Sequence, residues 1–230
     1  MLANFDFSVI TSSLPYLFFE GMRFTLTLTA LAAVGGIVLG TFIAMMRLSG
    51  LPVIPLVAKT YVNLFRSLPL VLVIFWFYFL VPYIGAYVTG ASTPIQVGAF
   101  PSALITFMAF EAAYFSEIMR AGIQSIPKGQ TGAALALGMN YWQTMANVVL
   151  PQAFRNMLPL LLTQTVVLFQ DTSLVYVLSL TDFMGAASKV AQRDGRLVEM
   201  YIFAAIVYFV ICFTASFLVR RLQRRVAIIR

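Results

Sequence analysis

The sequence is poor in charged residues and in the side chains that carry out most enzyme chemistry. Its 230 residues include no histidine, one cysteine and only 10% charged residues. Without histidine the chain lacks the commonest metal ligand and general base, and the single Cys212 excludes a disulfide framework. The GxxxxGK[ST] phosphate-binding loop and the HExxH and GxSxG patterns of hydrolases are also missing. These absences argue against an ATPase and against a membrane-embedded enzyme.

Apolar residues, in contrast, make up 61% of the chain. Soluble domains contain about 25% charged residues, and a soluble fold of this length would expose large apolar patches that aggregate. The composition therefore predicts an integral membrane protein in a lipid bilayer. The formal net charge of +7 then indicates basic loops on the cytoplasmic side of the membrane rather than a nucleic-acid partner.

The apolar stretches predict five transmembrane helices. Crossing the hydrocarbon core takes about 20 apolar residues, and no charge occurs from Phe24 to Met46 or from Ser67 to Phe110. The second stretch is too long for one crossing, and we expect Pro82, Gly85, Gly90 and Pro94 to break it into a hairpin. The fold class is thus an all-α membrane protein, a single transmembrane domain over residues 1–230 with spans at about 22–46, 61–81, 98–122, 156–178 and 199–220.

Basic residues predict the orientation. Five spans place the two termini on opposite sides, and the segments 47–60 and 123–155 contain no acidic residue. The C-terminal tail is also free of acids and holds five arginines: Arg220, Arg221, Arg224, Arg225 and Arg230. Because basic residues favour the cytoplasmic side, we predict an outer N-terminus and an inner C-terminus.

The segment 123–155, between the third and fourth predicted spans, has a pattern of helix signals. Pro127 suits a helix start, Gly138 suits a helix end, and Asn140 with Gln143 forms a capping-box pattern for a second helix. We expect that second helix to stop at Pro151. The result is two short helices joined by a corner and exposed to the cytoplasm. Leu135, Leu137 and Met139 supply apolar side chains that a groove on a soluble partner would bind.

This segment resembles the conserved cytoplasmic loop of ATP-binding-cassette importer permeases, called the EAA loop. The resemblance rests on Gly129, Gln130, Ala133, Ala134, Gly138, Leu150 and Pro151. One position departs from the pattern, because Gly132 stands where the loop's glutamate is expected. The resemblance implies a coupling helix that docks on an ATPase subunit. Without the glutamate, docking would depend on shape and apolar contacts.

The rest of the chain is similar to polar amino-acid permeases of the same superfamily. The similarity lies in the segments 66–70, 113–123 and 170–174, and the combination of 61–63, 110–114 and 169–179 looks closest to glutamate/aspartate permeases. The family implies two ATPase subunits, which use the ATP, a periplasmic substrate-binding protein and a second permease subunit, homologous or identical. It also implies alternating access in a bacterial inner membrane and no cofactor bound by this chain.

Ionisable residues inside spans are costly and therefore candidates for function. Asp171 would suit the ammonium of an amino acid, and Arg66 would suit a carboxylate. Amide and hydroxyl groups at Asn63, Ser67, Gln164, Thr172 and Ser173 are further candidates for substrate contact. Asp171 and Arg66 would equally form a structural pair between helices. Glu111 and Glu117 are weaker candidates, and Glu117 and Arg120 are spaced to pair along one helix.

An ion-coupled secondary transporter or channel is the alternative reading of these features. Asp171 and Glu111 would then supply a coupling-ion site. This alternative leaves the exposed 123–155 segment without a role, whereas an ATP-driven importer requires one.

Overall fold

The computed structural model describes residues 5–94 and 97–226. Within those residues the regular elements are helices, and no strand occurs. The N-terminal part consists of α1 (Phe7–Tyr16), a π-helical turn (Leu17–Met22), α2 (Arg23–Leu48) and α3 (Ile54–Ser67). Then come α4 (Leu70–Phe75), a second π-helical turn (Trp76–Leu80), α5 (Val81–Thr89) and α6 (Ala99–Gln124).

The second half begins with two short helices, α7 (Lys128–Ala136) and α8 (Tyr141–Thr144). A third π-helical turn (Met145–Val149) leads into α9 (Leu150–Asp171), which tightens into a 3₁₀ helix (Thr172–Leu178). The last elements of the described residues are α10 (Phe183–Asp194) and α11 (Leu197–Val226). In the described part of the chain, five helical stretches are long and apolar enough to cross a membrane: Phe7–Leu48, Leu70–Thr89, Ala99–Gln124, Tyr141–Leu178 and Leu197–Arg225.

The second predicted span, 61–81, is wrong in its bounds. Helix α3 ends at Ser67, and the apolar stretch that follows the break runs from Leu70 to Thr89. The break lies at Leu68-Pro69 because proline disfavours a helical conformation in the residue before it. Pro82 does not end this helix, because the π-helical turn Trp76–Leu80 lies just before it, with the N–H of Val81 donating to the carbonyl of Trp76, and such a wider turn accommodates a proline. The helix ends at Gly90, whose φ is +70°.

The second helix of the 123–155 segment does not stop at Pro151, contrary to the sequence-based prediction. The helical path runs from Tyr141 through Pro151 to Asp171. A π-helical turn lies directly before the proline, and within it the N–H of Leu150 donates to the carbonyl of Met145. The wider turn lets the helix accommodate a residue that has no N–H and whose ring would clash in a regular α-helix.

Two compact units make up the chain. The first comprises residues 1–34, 68–108 and 166–215, and the second comprises 35–67, 109–165 and 216–230. In the first unit, Phe183 and its neighbours on α10 pack with Leu17, Met22 and Met200 in a buried core. The buried Cys212 belongs to the same core. Gly21 permits a close approach there, because a Cβ at this position would lie 2.9 Å from the Cβ of Ala186.

In the second unit, α2 packs closely on α6. A Cβ on Gly36 would lie 3.0 Å from the Cβ of Glu111, and one on Gly40 would lie 2.9 Å from the Cβ of Phe115. Small residues on one helix face allow such close helix contacts in membranes. The two helices are therefore held at a distance that brings the polar residues of α6 beside α2.

Candidate functional site

Glu111 and Gln164, a predicted site residue, form a buried polar contact in the second unit. Glu111 on α6 is 0% exposed, and the side-chain amide of Gln164 on α9 donates to its carboxylate oxygens at 3.1 and 3.4 Å. A buried carboxyl group needs such donors because leaving it unpaired carries a large desolvation cost. The predicted substrate ligand Gln164 is thus engaged with a neighbouring acid.

Arg66 lies near the end of α3 and stacks on an aromatic ring. Its guanidinium carbon is 5.5 Å from the centroid of the Tyr114 ring, a cation–π arrangement. On the same helix, the hydroxyl of Tyr61 donates to the carbonyl of Ala109 at 2.6 Å. These two contacts hold α3 on α6. Stacking leaves the edge of the guanidinium, with its N–H donors, available for a carboxylate.

The two other predicted residues of α3 differ in their hydrogen bonding. Asn63 and Ser67 are both exposed. The hydroxyl of Ser67 donates to the backbone carbonyl of Asn63 at 2.7 Å, so its hydrogen is already used within the helix. Its oxygen remains an acceptor, and the side chain of Asn63 offers both a donor and an acceptor.

Asp171, Thr172 and Ser173 lie where α9 changes to a 3₁₀ helix, in the first unit. Asp171 is the last α-helical residue and is half-buried, as is Ser173. Thr172 is fully buried, and its hydroxyl donates to the carbonyl of Phe169 at 2.7 Å. The 3₁₀ stretch forms the C-terminal end of this helix, where such tightening is common. Here it ends at Ser179, which has a φ of +60°.

Glu117 lies between two arginines in the second unit. Arg47 on α2 and Arg120 on α6 both donate to its carboxylate. The sequence-predicted pair of Glu117 and Arg120 is confirmed, and Arg47 adds a bond between the two helices. Sequence reasoning missed this third member because helix contact, not spacing along the chain, brings Arg47 to the acid.

The segment with the two short helices has the corner that the sequence predicts. Gly138 has a φ of +81°, and the N–H of Met139 donates to the carbonyl of Ala134 at 3.1 Å, as in a glycine-terminated helix. The capping box of Asn140 and Gln143 is present, with both bonds at 2.9 Å. Ile126, Val149 and Ala153 form a small buried cluster beneath these helices.

Large apolar side chains project outward from this corner. Leu135 is 53% exposed and Leu137 is 83% exposed. Sequence reasoning missed Tyr141 and Trp142, which are 64% and 78% exposed and pack edge to face at 5.5 Å. The Tyr-Trp pair directly after the helix cap was the available signal, since aromatic residues are common anchors of protein interfaces.

Comparison with known proteins identifies the family. The family model described as "Binding-protein-dependent transport system inner membrane component" matches residues 36–228. The chain belongs to this family. The resemblance to permeases of ATP-binding-cassette importers is therefore confirmed, and the chain is a multi-pass inner-membrane transport component. Proteins of this kind are not enzymes, and ATP hydrolysis belongs to separate subunits.

Individual relatives cover almost the whole chain. The glutamate/aspartate import permease protein GltK of Escherichia coli O157:H7 is 56% identical over 97% of this chain and 99% of its own length. The glutamine transport system permease protein GlnP of Escherichia coli K12 is 33% identical over 98% of this chain and 100% of its own. A solved structure described as an amino acid ABC transporter with histidines matches with a TM-score of 0.85 and 34% identity, covering 96% of this chain and 98% of that chain.

Proposed function

We propose that the chain is the permease subunit of an ATP-driven importer of glutamate and aspartate. The observation that carries this proposal is the 56% identity, over nearly the full length of both chains, to a permease named for these two substrates. The relative named for glutamine is only 33% identical. That difference favours acidic amino acids over the corresponding amide.

The proposed orientation places the N-terminus outside and the C-terminal end of α11 in the cytoplasm. Arg220, Arg221, Arg224 and Arg225 all lie in the last two turns of α11. The exposed segment around α7 and α8 contains Lys128 and no acidic residue. Both features support a cytoplasmic position, because basic residues are favoured on that side.

In this orientation α7 is the coupling helix. Its exposed Leu135 and Leu137, together with Tyr141 and Trp142 of α8, form an apolar surface that suits a groove on an ATPase subunit. Gly132 offers no carboxylate to the partner, so we attribute docking to these apolar contacts, supported by the positive charges of Lys128 and Arg155. The remaining residues of the family pattern shape α7 and the segment that follows it. They are Gly129, Gln130, Ala133, Ala134, Gly138, Leu150 and Pro151.

The complete importer would contain two ATPase subunits, a substrate-binding protein and a second permease subunit, identical or homologous. ATP binding would bring the ATPase subunits together and move the coupling helices. The permease helices would then alternate between outward-open and inward-open states, which gives net import without a coupling ion.

We assign substrate contacts by charge. Arg66, stacked on Tyr114 with its N–H edge available, suits a substrate carboxylate. Asp171 suits the substrate ammonium. Among the neutral candidates, we rank Asn63 and Ser173 above Gln164, Ser67 and Thr172. The amide of Gln164 already donates to Glu111, and the hydroxyls of Ser67 and Thr172 already donate to backbone carbonyls.

Uptake into proteoliposomes tests the function. The chain is reconstituted with its ATPase, its binding protein and its homologous permease partner, and uptake of labelled glutamate, aspartate and glutamine is measured with ATP inside. We expect uptake of the two acidic amino acids that depends on ATP and on the binding protein. Uptake driven by an ion gradient with this chain alone would support a secondary transporter instead, and a preference for glutamine would reject the substrate assignment.

A further inference from the structure

The end of α11 has a high local positive charge, and no ion pair in the described part of its unit neutralises it. Arg220, Arg221, Arg224 and Arg225 are all exposed, and no acidic residue follows Glu199 in the sequence. In the described part of the chain, the ion pairs involve other arginines. A cluster of this kind attracts anions at a membrane surface.

The helix that precedes these arginines has an exposed apolar face. Its exposed side chains include Ile206, Phe209, Val210, Phe213, Phe217 and Leu218, each more than half exposed. An apolar helix that becomes basic within one turn marks the level at which it leaves the hydrocarbon core and reaches the lipid headgroups. The arginines therefore lie at headgroup depth, whichever side of the membrane this end occupies.

Two of the four arginines line a shallow cleft together with two leucines. The cleft has a volume of about 300 Å³ and is lined by Leu218, Arg221, Leu222 and Arg225. This spacing places all four side chains on one face of the helix. Leu218 comes first along the helix and Arg225 last, with Arg221 and Leu222 between them, so the cleft is apolar where it begins and basic where it ends.

We propose that this cleft binds the headgroup of an anionic phospholipid. Guanidinium groups bind phosphate with paired hydrogen bonds, and Leu218 and Leu222 would contact the upper part of the acyl chains. A free phosphate ion would satisfy the arginines but would leave the leucines in water, so the combined surface fits a lipid. Arg220 and Arg224 lie outside the cleft and contribute only general attraction.

The matched arginine pairs provide the test. The assembled importer is purified in detergent with mixed phosphatidylglycerol and phosphatidylcholine, and bound lipids are counted by native mass spectrometry at graded lipid concentrations. We expect the wild type to retain phosphatidylglycerol selectively. Arg221→Gln with Arg225→Gln should weaken that retention by at least about a hundredfold, about tenfold or more for each arginine, because charge-assisted hydrogen bonds to the phosphate are lost. Arg220→Gln with Arg224→Gln removes the same charge from the same turns but only general attraction, and should weaken retention by at most about twenty-fivefold, about fivefold for each arginine.

Further variants and an added competitor distinguish a lipid site from a free-phosphate site and from a purely structural role of the arginines. Arg221→Lys with Arg225→Lys keeps the charge that orients the helix but loses the paired hydrogen bonds, so it should give an intermediate loss in a correctly inserted protein. Millimolar inorganic phosphate should not displace the lipid. Three results would overturn the proposal. They are equal losses of phosphatidylglycerol in the two glutamine double variants, displacement of the lipid by phosphate alone, and variants that lose an ATPase subunit while retaining the lipid.

Discussion

The amide of Gln164 donates to the buried carboxylate of Glu111 at 3.1 Å and joins α9 to α6 within the second unit. Gln164→Leu keeps the side-chain size but removes the donor. We expect the free energy of unfolding to fall by about 1–3 kcal/mol, the usual range for a lost hydrogen bond to a buried polar group. Thermal unfolding of the solubilised importer measures this change.

A glutamine on the same helix provides the control for that substitution. The amide of Gln152 donates to the carbonyl of Val148, one turn earlier in the chain. Gln152→Leu should therefore change stability by less than about 1 kcal/mol. Equal effects of the two substitutions would show that the Glu111 contact contributes nothing specific.

Glu117 holds Arg47 and Arg120 together, and its loss should separate α2 from α6. Glu117→Gln leaves two partly buried arginines without their common carboxylate. The arginines then lose the partner that offsets the cost of their desolvation. We expect the free energy of unfolding to fall by about 1–3 kcal/mol, a moderate value because the Glu117 side chain is 25% exposed. Glu20→Gln removes an exposed carboxylate and should be nearly neutral. Chemical unfolding of both variants provides the comparison, and similar midpoints would refute this role for Glu117.

The apolar surface of α7 should transmit ATP hydrolysis to transport. Leu135→Asp combined with Leu137→Asp places two charges on a surface that we expect to be buried against the ATPase. ATP hydrolysis stimulated by the binding protein, and uptake, should both fall at least tenfold, while the permease itself stays folded, because both positions are exposed. Ala136→Asp adds a charge in the same turn without removing a large apolar side chain, and should have a smaller effect. Normal coupling in the double variant would reject the assignment.

The sequence predicted the features that depend on neighbouring residues. The helix end at Gly138 and the capping box of Asn140 and Gln143 are confirmed. Both could be predicted because they depend on residues only a few positions apart. The break before α4 and the continuation of the helix through Pro151 were missed. Whether a proline ends a helix or is accommodated by a π-helical turn depends on the packing around it. The contacts of Gln164 with Glu111 and of Arg47 with Glu117 span 53 and 70 residues. Only the folded structure could pair them.

Two glycines in the 128–150 segment should respond in opposite ways to alanine. Gly138 has a φ of +81°, a conformation that costs a residue with a side chain about 1–2 kcal/mol. Gly138→Ala should therefore destabilise the corner and lower coupled ATPase activity. Gly132 lies inside α7 with open space around an added Cβ, so Gly132→Ala should stabilise the helix by up to about 1 kcal/mol. Thermal unfolding and stimulated ATPase activity, measured on both, distinguish a need for this corner from a general intolerance of substitution.

Asp182 should make the stability of the first unit depend on pH. It caps α10, with its carboxylate accepting from the backbone N–H groups of Met184 and Gly185 at 3.0 Å. Burial raises its pKa from 3.8 to about 6, although these two bonds act in the opposite direction. The folded state therefore binds a proton more tightly than the unfolded state does. The stability this provides is fully present below about pH 3.8, falls as the pH rises and is lost above about pH 6, a change of at most about 3 kcal/mol.

Asp182→Asn isolates this pH effect, because asparagine also caps helices but does not titrate. Thermal unfolding of the wild type should occur at a higher temperature near pH 5 than near pH 7, and the difference should shrink in the variant. Asp182→Ala removes the cap as well and should lower stability at every pH by about 1 kcal/mol more. If the wild type and the asparagine variant showed the same pH profile, the carboxylate of Asp182 would already be ionised throughout, held in that form by the two backbone donors.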